Sequence, residues 1–387
     1  MHAWPKVDPA ELRRERWGKT AELMAGLGLD HLLLTSFDAI RYATDYRTLI
    51  IAEGFDWFAA VVGAEGDCEV LVPWVDEVLP DPDPALPWVR ALHPLPSWTP
   101  ALPHRGFWVR ALAGVLRTRG ARRIGVDMLD AALLEGLRGE LPEASFTSIA
   151  TELYDLRLRK DAAEIQLLAA ASAVNSRAAE AALQAARPGV LDHDVLAAAM
   201  ASLQRAGVEY LSHSLCNVRR GSGTWFAVGN ELREGEAFFF DIGCYGAGGY
   251  ASDMARVGFV GEPPAALREA HRRLLEAHRI GEETARPGVR ASEIQGAVNG
   301  YLERHGMPIT PYSVGHGIGL RACELPTIHR ADRMDRDQRL AEGMVIALEP
   351  ETAVEVDGRL VVLKVEDDYV VEADGLRRLT DARYATD

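Results

Sequence analysis

The sequence predicts a mixed α/β protein (α/β with α+β character) built from two domains, and three observations carry that reading. At 387 residues the chain is too long for one typical core. Short apolar runs of strand length alternate with longer stretches of helical spacing. A proline-rich stretch from Pro80 to Pro103 punctuates the first part, and a new helical segment starts near Leu156. Hydrophobic residues make up 48% and charged residues 26%, the balance of a folded enzyme rather than of a disordered or fibrous chain.

In chain order, Leu12, Trp17, Leu23 and Leu27 predict a helix over 9–29, with Gly28 as its stop. His31 to Thr35 reads as a buried strand. The runs 58–62 and 68–72 flank the turn-rich insert 63–67 and predict a hairpin. A helix over 108–117 and a strand over 123–127 complete a first mixed domain, 1–155. The boundary falls between Thr151 and Leu158. Asp161 then caps a helix, with Glu164 completing a capping-box pair, and the alanine-rich stretch to Ala186 continues it.

Within the second domain, 156–387, helical patterns cover 192–206, 264–285 and 291–305. Strand-like runs cover 237–242, 250–260, 344–349 and 360–371. The order helix, helix, strands, repeated once, suggests a duplicated αβ half, although no residue-level repeat accompanies it.

The net charge of −15 argues against nucleic acid as a main partner, because phosphate binding needs a basic surface. No run approaches the ~18 apolar residues of a membrane span, and the first residues lack the pattern of a secretory signal. Cys68, Cys216, Cys244 and Cys323 show no paired spacing, which fits a reducing compartment. A cytoplasmic location with no membrane partner is the expectation.

Chemistry enters where acids interrupt apolar strands. Phe238-Phe239-Phe240 runs into Asp241, and the chain turns through glycines and returns with Asp253. Two inward carboxylates on one hairpin are costly unless something positive lies between them. His316 lies in Gly315-His316-Gly317-Ile318-Gly319-Leu320, Glu349 ends 344–349, and Glu366 follows Val361-Val362-Leu363-Lys364-Val365. Four carboxylates and an imidazole suit Mn²⁺, Zn²⁺, Fe²⁺ or Co²⁺, and two ions would neutralise the four acids.

These five segments, in this order, resemble the pita-bread metallohydrolases: Xaa-Pro aminopeptidases and prolidases, methionine aminopeptidases and, by fold, creatinase (peptidase family M24). The first domain and Leu156-Arg157-Leu158-Arg159-Lys160 are similar to the Xaa-Pro peptidase and creatinase branch. The resemblance implies a creatinase-like N-terminal domain followed by a pita-bread catalytic domain. It makes Asp241 a ligand of one metal, Asp253 and Glu366 bridges, and His316 and Glu349 ligands of the other. Glu349 and His316 are then the catalytic residues, with Glu349 accepting a proton from water whose pKa the metals lower. The resemblance also implies two divalent ions, Mn²⁺ first and Zn²⁺, Co²⁺ or Fe²⁺ as alternatives, and a homodimer.

Three departures limit the carry-over. The spacing from Asp241 to Asp253 is one residue longer than is usual in the peptidase branch, to be absorbed by a bulge or a longer hairpin. Where peptidases of the family carry Val-His-Glu or Val-His-Asp, this chain reads Ala322-Cys323-Glu324, with His329 downstream as a replacement. A second substrate-facing histidine is missing from 221–226, and His213 lies too far back to be its equivalent and reads as structural. Arg219, Arg220 and Trp225 become candidate substrate contacts, alongside Cys323 and His329. Phe55-Asp56-Trp57-Phe58 either packs in the first domain's core or walls a partner subunit's site.

The leading reading is therefore a dinuclear metal-dependent hydrolase cleaving an amide C–N bond, similar to Xaa-Pro dipeptidases and aminopeptidases and acting on a dipeptide or other small molecule. The alternative is a non-peptidase relative acting on a small metabolite, like the ectoine and creatine hydrolases or the dimethylsulfoniopropionate lyases. A third is a catalytically inactive pita-bread binding module.

Overall fold

The computed structural model describes residues 3–48, 58–73, 81–95, 101–218 and 225–385. The segment Phe55 to Trp57, together with Arg219, Arg220 and the stretch 221–224, lies outside these described residues. The chain divides into two compact units, Lys6–Leu156 and Arg157–Asp387, the second also taking in Trp4.

The first unit comprises α1 (Pro9–Leu27), β1 (His31–Leu34), α2 (Phe37–Thr44), β2 (Ala59–Gly63), β3 (Cys68–Pro73), β4 (Val89–Leu95), α3 (Ala101–Thr118), β5 (Arg123–Val126), α4 (Ala131–Glu140), β6 (Ser145–Ser148) and α5 (Ala150–Leu156). Asp8 caps α1 by accepting from Ala10 N–H, and Gly28 ends it at φ 64°, the left-handed conformation that favours glycine. The strands form one sheet in the order β4-β3-β2-β1-β5-β6. Strand alternation fills both faces: Leu33, Val61 and Leu71 meet Leu112, Leu116 and Leu137, while Leu32, Leu34 and Val62 meet Met24 and Ile40. Phe58 packs against this second cluster.

The second unit runs α6 (Ala162–Ala185), α7 (Asp192–Ala206), β7 (Tyr210–Val218), β8 (Ala237–Tyr245), β9 (Ala251–Phe259), α8 (Ala265–Thr284), α9 (Ala291–Arg304), β10 (Gly315–Gly317), β11 (Glu324–Ile328), β12 (Val345–Leu348), β13 (Glu351–Val356), β14 (Arg359–Lys364), β15 (Asp367–Glu372) and β16 (Gly375–Arg378). The Asp161–Glu164 capping box on α6 is present. Sheets form in the orders β7-β8-β9 and β11-β10-β12-β15-β16, and β13 pairs with β14. This is the pita-bread arrangement, following a creatinase-type first domain. Among the described residues no helix is long and apolar enough to cross a membrane.

Strand β8 is buried on both faces. Phe238, Phe240 and Ile242 pack with Val195, Ala199 and Leu203 of α7, whereas Phe239 faces Leu267 and Leu274 of α8. Asp241 continues the second face, so the burial of Phe239 commits Asp241 to the interior.

One expectation changes in detail, and one alternative is decided. The run 360–371 is two strands, β14 and β15, broken at Val365-Glu366; β14 pairs with β13 and β15 with β12. The extra residue between Asp241 and Asp253 sits in the turn, a 3₁₀ segment over Ala247–Gly249, and the β8–β9 register is unbroken from Ala237 to Tyr245. The bulge lies instead between β7 and β8.

Candidate metal centre

Asp241 pairs with Ala255 and Gly243 with Asp253, so the two acids share one face as diagonal neighbours. Both are buried. His316 stands mid-strand between Thr327 of β11 and Ala347 of β12. Its flanking glycines are required by packing: a Cβ at Gly315 would lie 2.2 Å from Ala347 O, and one at Gly317 1.9 Å from Leu325 O. Glu349 follows β12 and donates its N–H to Val314 O (2.8 Å), and Glu366 N–H donates to Ala255 O (3.0 Å).

Glu366 is held from behind by Arg256, which is fully buried. Its Nη1 donates to Glu366 O (2.7 Å), and Nη2 donates to Asp367 Oδ1 (2.6 Å) and Ala382 O (2.9 Å). Asp253 is positioned similarly: Asp368, which accepts from Ser252 Oγ (2.7 Å) and Ser172 Oγ (2.8 Å), receives the Asp253 N–H.

The five residues singled out by the sequence therefore converge. His316 Nε2 lies 3.7 Å from Glu349 Oε1 and 3.6 Å from Glu366 Oε1, and its Nδ1 faces Gly317 O at 3.0 Å. That contact gives Nδ1 a carbonyl to donate to and turns Nε2 towards the acids; burial disfavours the charged ring, but Glu366 and Glu349 outweigh it and raise the imidazole well above its ordinary value. Two groups within metal-binding reach result: Asp253–His316–Glu366 and His213–Asp241–Asp253.

Two residues join the centre that sequence reasoning left out of it. His213 Nε2 lies 2.9 Å from Asp241 Oδ1 and 3.0 Å from Asp253 Oδ1. Lys364 Nζ lies 2.5 Å from Asp241 Oδ2, 2.8 Å from Glu349 Oε2 and 3.2 Å from Glu366 Oε2. A signal for Lys364 was in the sequence: a lysine inside Val361-Val362-Leu363-Lys364-Val365 interrupts an apolar strand as the acids do. The bulge that aims His213 leaves no such trace.

The electrostatics show how much negative charge is confined here. Burial raises the Glu366 carboxyl, Asp253 adds to this and Lys364 opposes it, leaving it pushed up to about 8. Burial opposes ionisation of Asp241 as well, but Lys364 and His213 outweigh it and hold this carboxyl below its ordinary value. Burial disfavours the Lys364 ammonium, yet Asp241, Glu349 and Glu366 together keep it charged.

The residues fit a metal. Both oxygens of Glu366, which is 1% exposed, and Asp253 Oδ1 are buried without a hydrogen-bond partner. Orphaned buried carboxylate oxygens are costly, and a cation held by N and O donors removes that cost. Metal uptake is therefore expected to displace the Glu366 proton. Below about pH 8 the ion must compete with that proton, so affinity rises with pH through this range. Titration calorimetry at about pH 7 in buffers of different ionisation enthalpy reads the released proton directly; identical heats in every buffer would contradict the expectation.

The other candidates distribute unevenly. Cys323 is solvent-accessible at the start of β11. Partial burial raises its thiol, His316 opposes this, and Glu349, Asp253 and Glu366 add to it, which puts the thiol in the centre's field. Trp225 meets Tyr312 edge to face at 5.8 Å, and Tyr312 O–H donates to Glu351 Oε2 (2.8 Å). His329 is not gathered in. Gly317 pairs with Glu324 and Gly315 with Ile328, so β11 carries His329 towards the Gly315 end, away from Cys323. Its charged neighbours are Arg333, Arg330 and Asp332.

Residues 166–373 match Metallopeptidase family M24, and residues 16–159 match the Creatinase/Prolidase N-terminal domain. The chain belongs to metallopeptidase family M24. It is 31% identical over 261 residues to a putative dipeptidase of Bacillus subtilis, covering 66% of this chain and 69% of that protein. It is 26% identical over 267 residues to an Xaa-Pro dipeptidase of Pyrococcus furiosus, covering 68% and 74%. Among solved structures, the prolidase of Pyrococcus horikoshii OT3 superposes with a TM-score of 0.75 at 21% identity, over 96% of this chain and 99% of that one. An Xaa-Pro dipeptidase of Bacillus anthracis gives 0.78 at 21%, over 96% and 98%. At these identities the structural matches speak for the M24 fold.

Proposed function

We propose that this M24 chain is a dinuclear metal-dependent hydrolase that cleaves an amide C–N bond in a small substrate of the Xaa-Pro dipeptide class. The observation that carries the reading is the convergence of Asp241, Asp253, His316, Glu349 and Glu366, with buried oxygens on two of them that have no hydrogen-bond partner. In this reading Asp241, Asp253, His316, Glu349 and Glu366 would hold the two ions. Two divalent ions, Mn²⁺ first, supply Lewis-acid polarisation of the scissile carbonyl and lower the pKa of water.

The chain's own residues do the rest. Glu349, 8% exposed, accepts the proton from the attacking water, while the Lys364 ammonium at 2.8 Å holds that carboxylate in place. The His316 Nδ1 contact with Gly317 O fixes the ring so that Nε2 faces the acids. In this reading Cys323, which lies in the field of the acids, and Trp225 are the candidate substrate contacts. The homodimer remains part of this reading, by the family's habit.

A second reading, a non-peptidase hydrolase or lyase acting on a small metabolite, is favoured by one feature: Cys323 stands where the peptidase pattern carries a histidine, and a thiol is a much weaker hydrogen-bond donor than an imidazole. A panel of Xaa-Pro dipeptides assayed with added Mn²⁺ separates the two. Turnover of at least one member, abolished by a chelator and restored by Mn²⁺, is the expected result. No turnover across the panel, in protein shown to hold metal, sinks the peptidase reading and leaves the second.

A further inference from the structure

We infer that His213 is a sixth protein ligand, which binds the ion held by Asp241 through its Nε2; this rests on the metal reading above and deepens it. The sequence motifs assign one imidazole to the centre, His316, whereas the structure brings in two, one on each side of Asp253.

The backbone aims the ring. Leu211 pairs with Cys244 and Ser214 with Ile242, so Ser212 and His213 together oppose Gly243 in a bulge. Gly243 makes the room, since a Cβ there would lie 2.5 Å from His213 Cε1 and 2.8 Å from its Nδ1. Gly243 is also the cross-strand partner of Asp253, so the imidazole is laid over the Asp241–Asp253 pair.

The contacts have the pattern of ligands that share an ion. Nε2 stands 2.9 Å from Asp241 Oδ1 and 3.0 Å from Asp253 Oδ1. Two donors at ~2.1 Å from one ion, subtending about 90–110°, are separated by roughly 3.0–3.4 Å. Nε2 is within hydrogen-bond distance of Asp241 Oδ1, whereas Asp253 Oδ1 has no hydrogen-bond partner despite its approach. On the other side of the ring, Nδ1 lies 3.1 Å from Ser212 Oγ. A proton on Nδ1 donated to that hydroxyl leaves the Nε2 lone pair facing the acids, the arrangement that orients metal-binding histidines. Lys364 meanwhile occupies the other oxygen of Asp241, Oδ2, leaving Oδ1 for the ion.

A nitrogen donor at this position shifts its preference from Mn²⁺ towards Zn²⁺, Co²⁺ or Fe²⁺. The test is metal uptake by the full chain. Mn²⁺ and Zn²⁺ titrations of the chelator-stripped protein are compared with those of His213→Ala and His213→Gln, with folding checked by circular dichroism. The wild type is expected to bind two ions, and both variants to lose one of them or to bind it at least about tenfold more weakly. Proton NMR of the Co²⁺-loaded wild type gives a readout that needs no substitution. Two strongly shifted, exchangeable ring N–H signals are expected, from His213 and His316. Two ions bound with unchanged affinity in the variants, or a single shifted N–H in the wild type, overturns the assignment while leaving the metal reading intact. A wild type that takes up neither ion overturns the metal reading itself.

Discussion

Glu366→Gln is expected to lower turnover by at least about 10³-fold and to remove bound metal. The substitution keeps the side chain's size but deletes its charge, and the residue is 1% exposed with both oxygens unpartnered by hydrogen bonds. A loss of about 4 kcal/mol of transition-state stabilisation corresponds to that factor, within what a positioned cation supplies. The fold should tolerate the change, because the amide adds no charge next to Lys364. Metal analysis of the purified variant, with kcat measured on whichever substrate the wild type turns over, checks both parts. Two ions retained with kcat within tenfold of wild type would remove Glu366 from the centre.

The second large effect is on stability. Arg256→Leu is expected to destabilise the second unit by about 3–5 kcal/mol, because it strands a buried acid. Arg256 and Asp367 are each fully buried and meet at 2.6 Å, and the arginine also holds Glu366 O and Ala382 O. Asp367 resists ionisation through burial, but Arg256 outweighs this and holds its carboxyl below the ordinary range. That contribution is present at neutral pH and is lost as the medium becomes acidic enough to protonate Asp367. Urea unfolding of the full chain followed by circular dichroism reads the shift. The same variant should bind metal more weakly, because it frees the backbone that carries Glu366. A loss under about 1 kcal/mol would show that Thr380 and Tyr384, which also donate to Asp367, hold the acid without the arginine.

Much of the site was legible in the sequence because carboxylates inside apolar strands violate the burial preference that organises the rest of the chain. Asp241 after three phenylalanines, and Glu366 after Val361-Val362-Leu363, each carry that conflict locally. So does Lys364, where the same argument, applied to acids alone, passed over a base. The strand break at Val365-Glu366 was not legible, because strand-like apolar residues lie on both sides of it and only their different partners, β13 and β12, separate them. His329 seemed near Cys323 by sequence distance, but an antiparallel pairing carries the two to opposite ends of β11.

By itself, then, the sequence determined the mixed α/β class and the capped helix at Asp161, and it singled out five candidate donors, since each rests on local periodicity or on a charge out of place. Tertiary structure alone decided which groups share the space between them. His213 reaches Asp241 and Asp253 through a bulge opposite Gly243, and Lys364 and Arg256 settle the charge in front of and behind Glu366. Such choices depend on register between strands far apart in the chain, which composition and spacing do not encode.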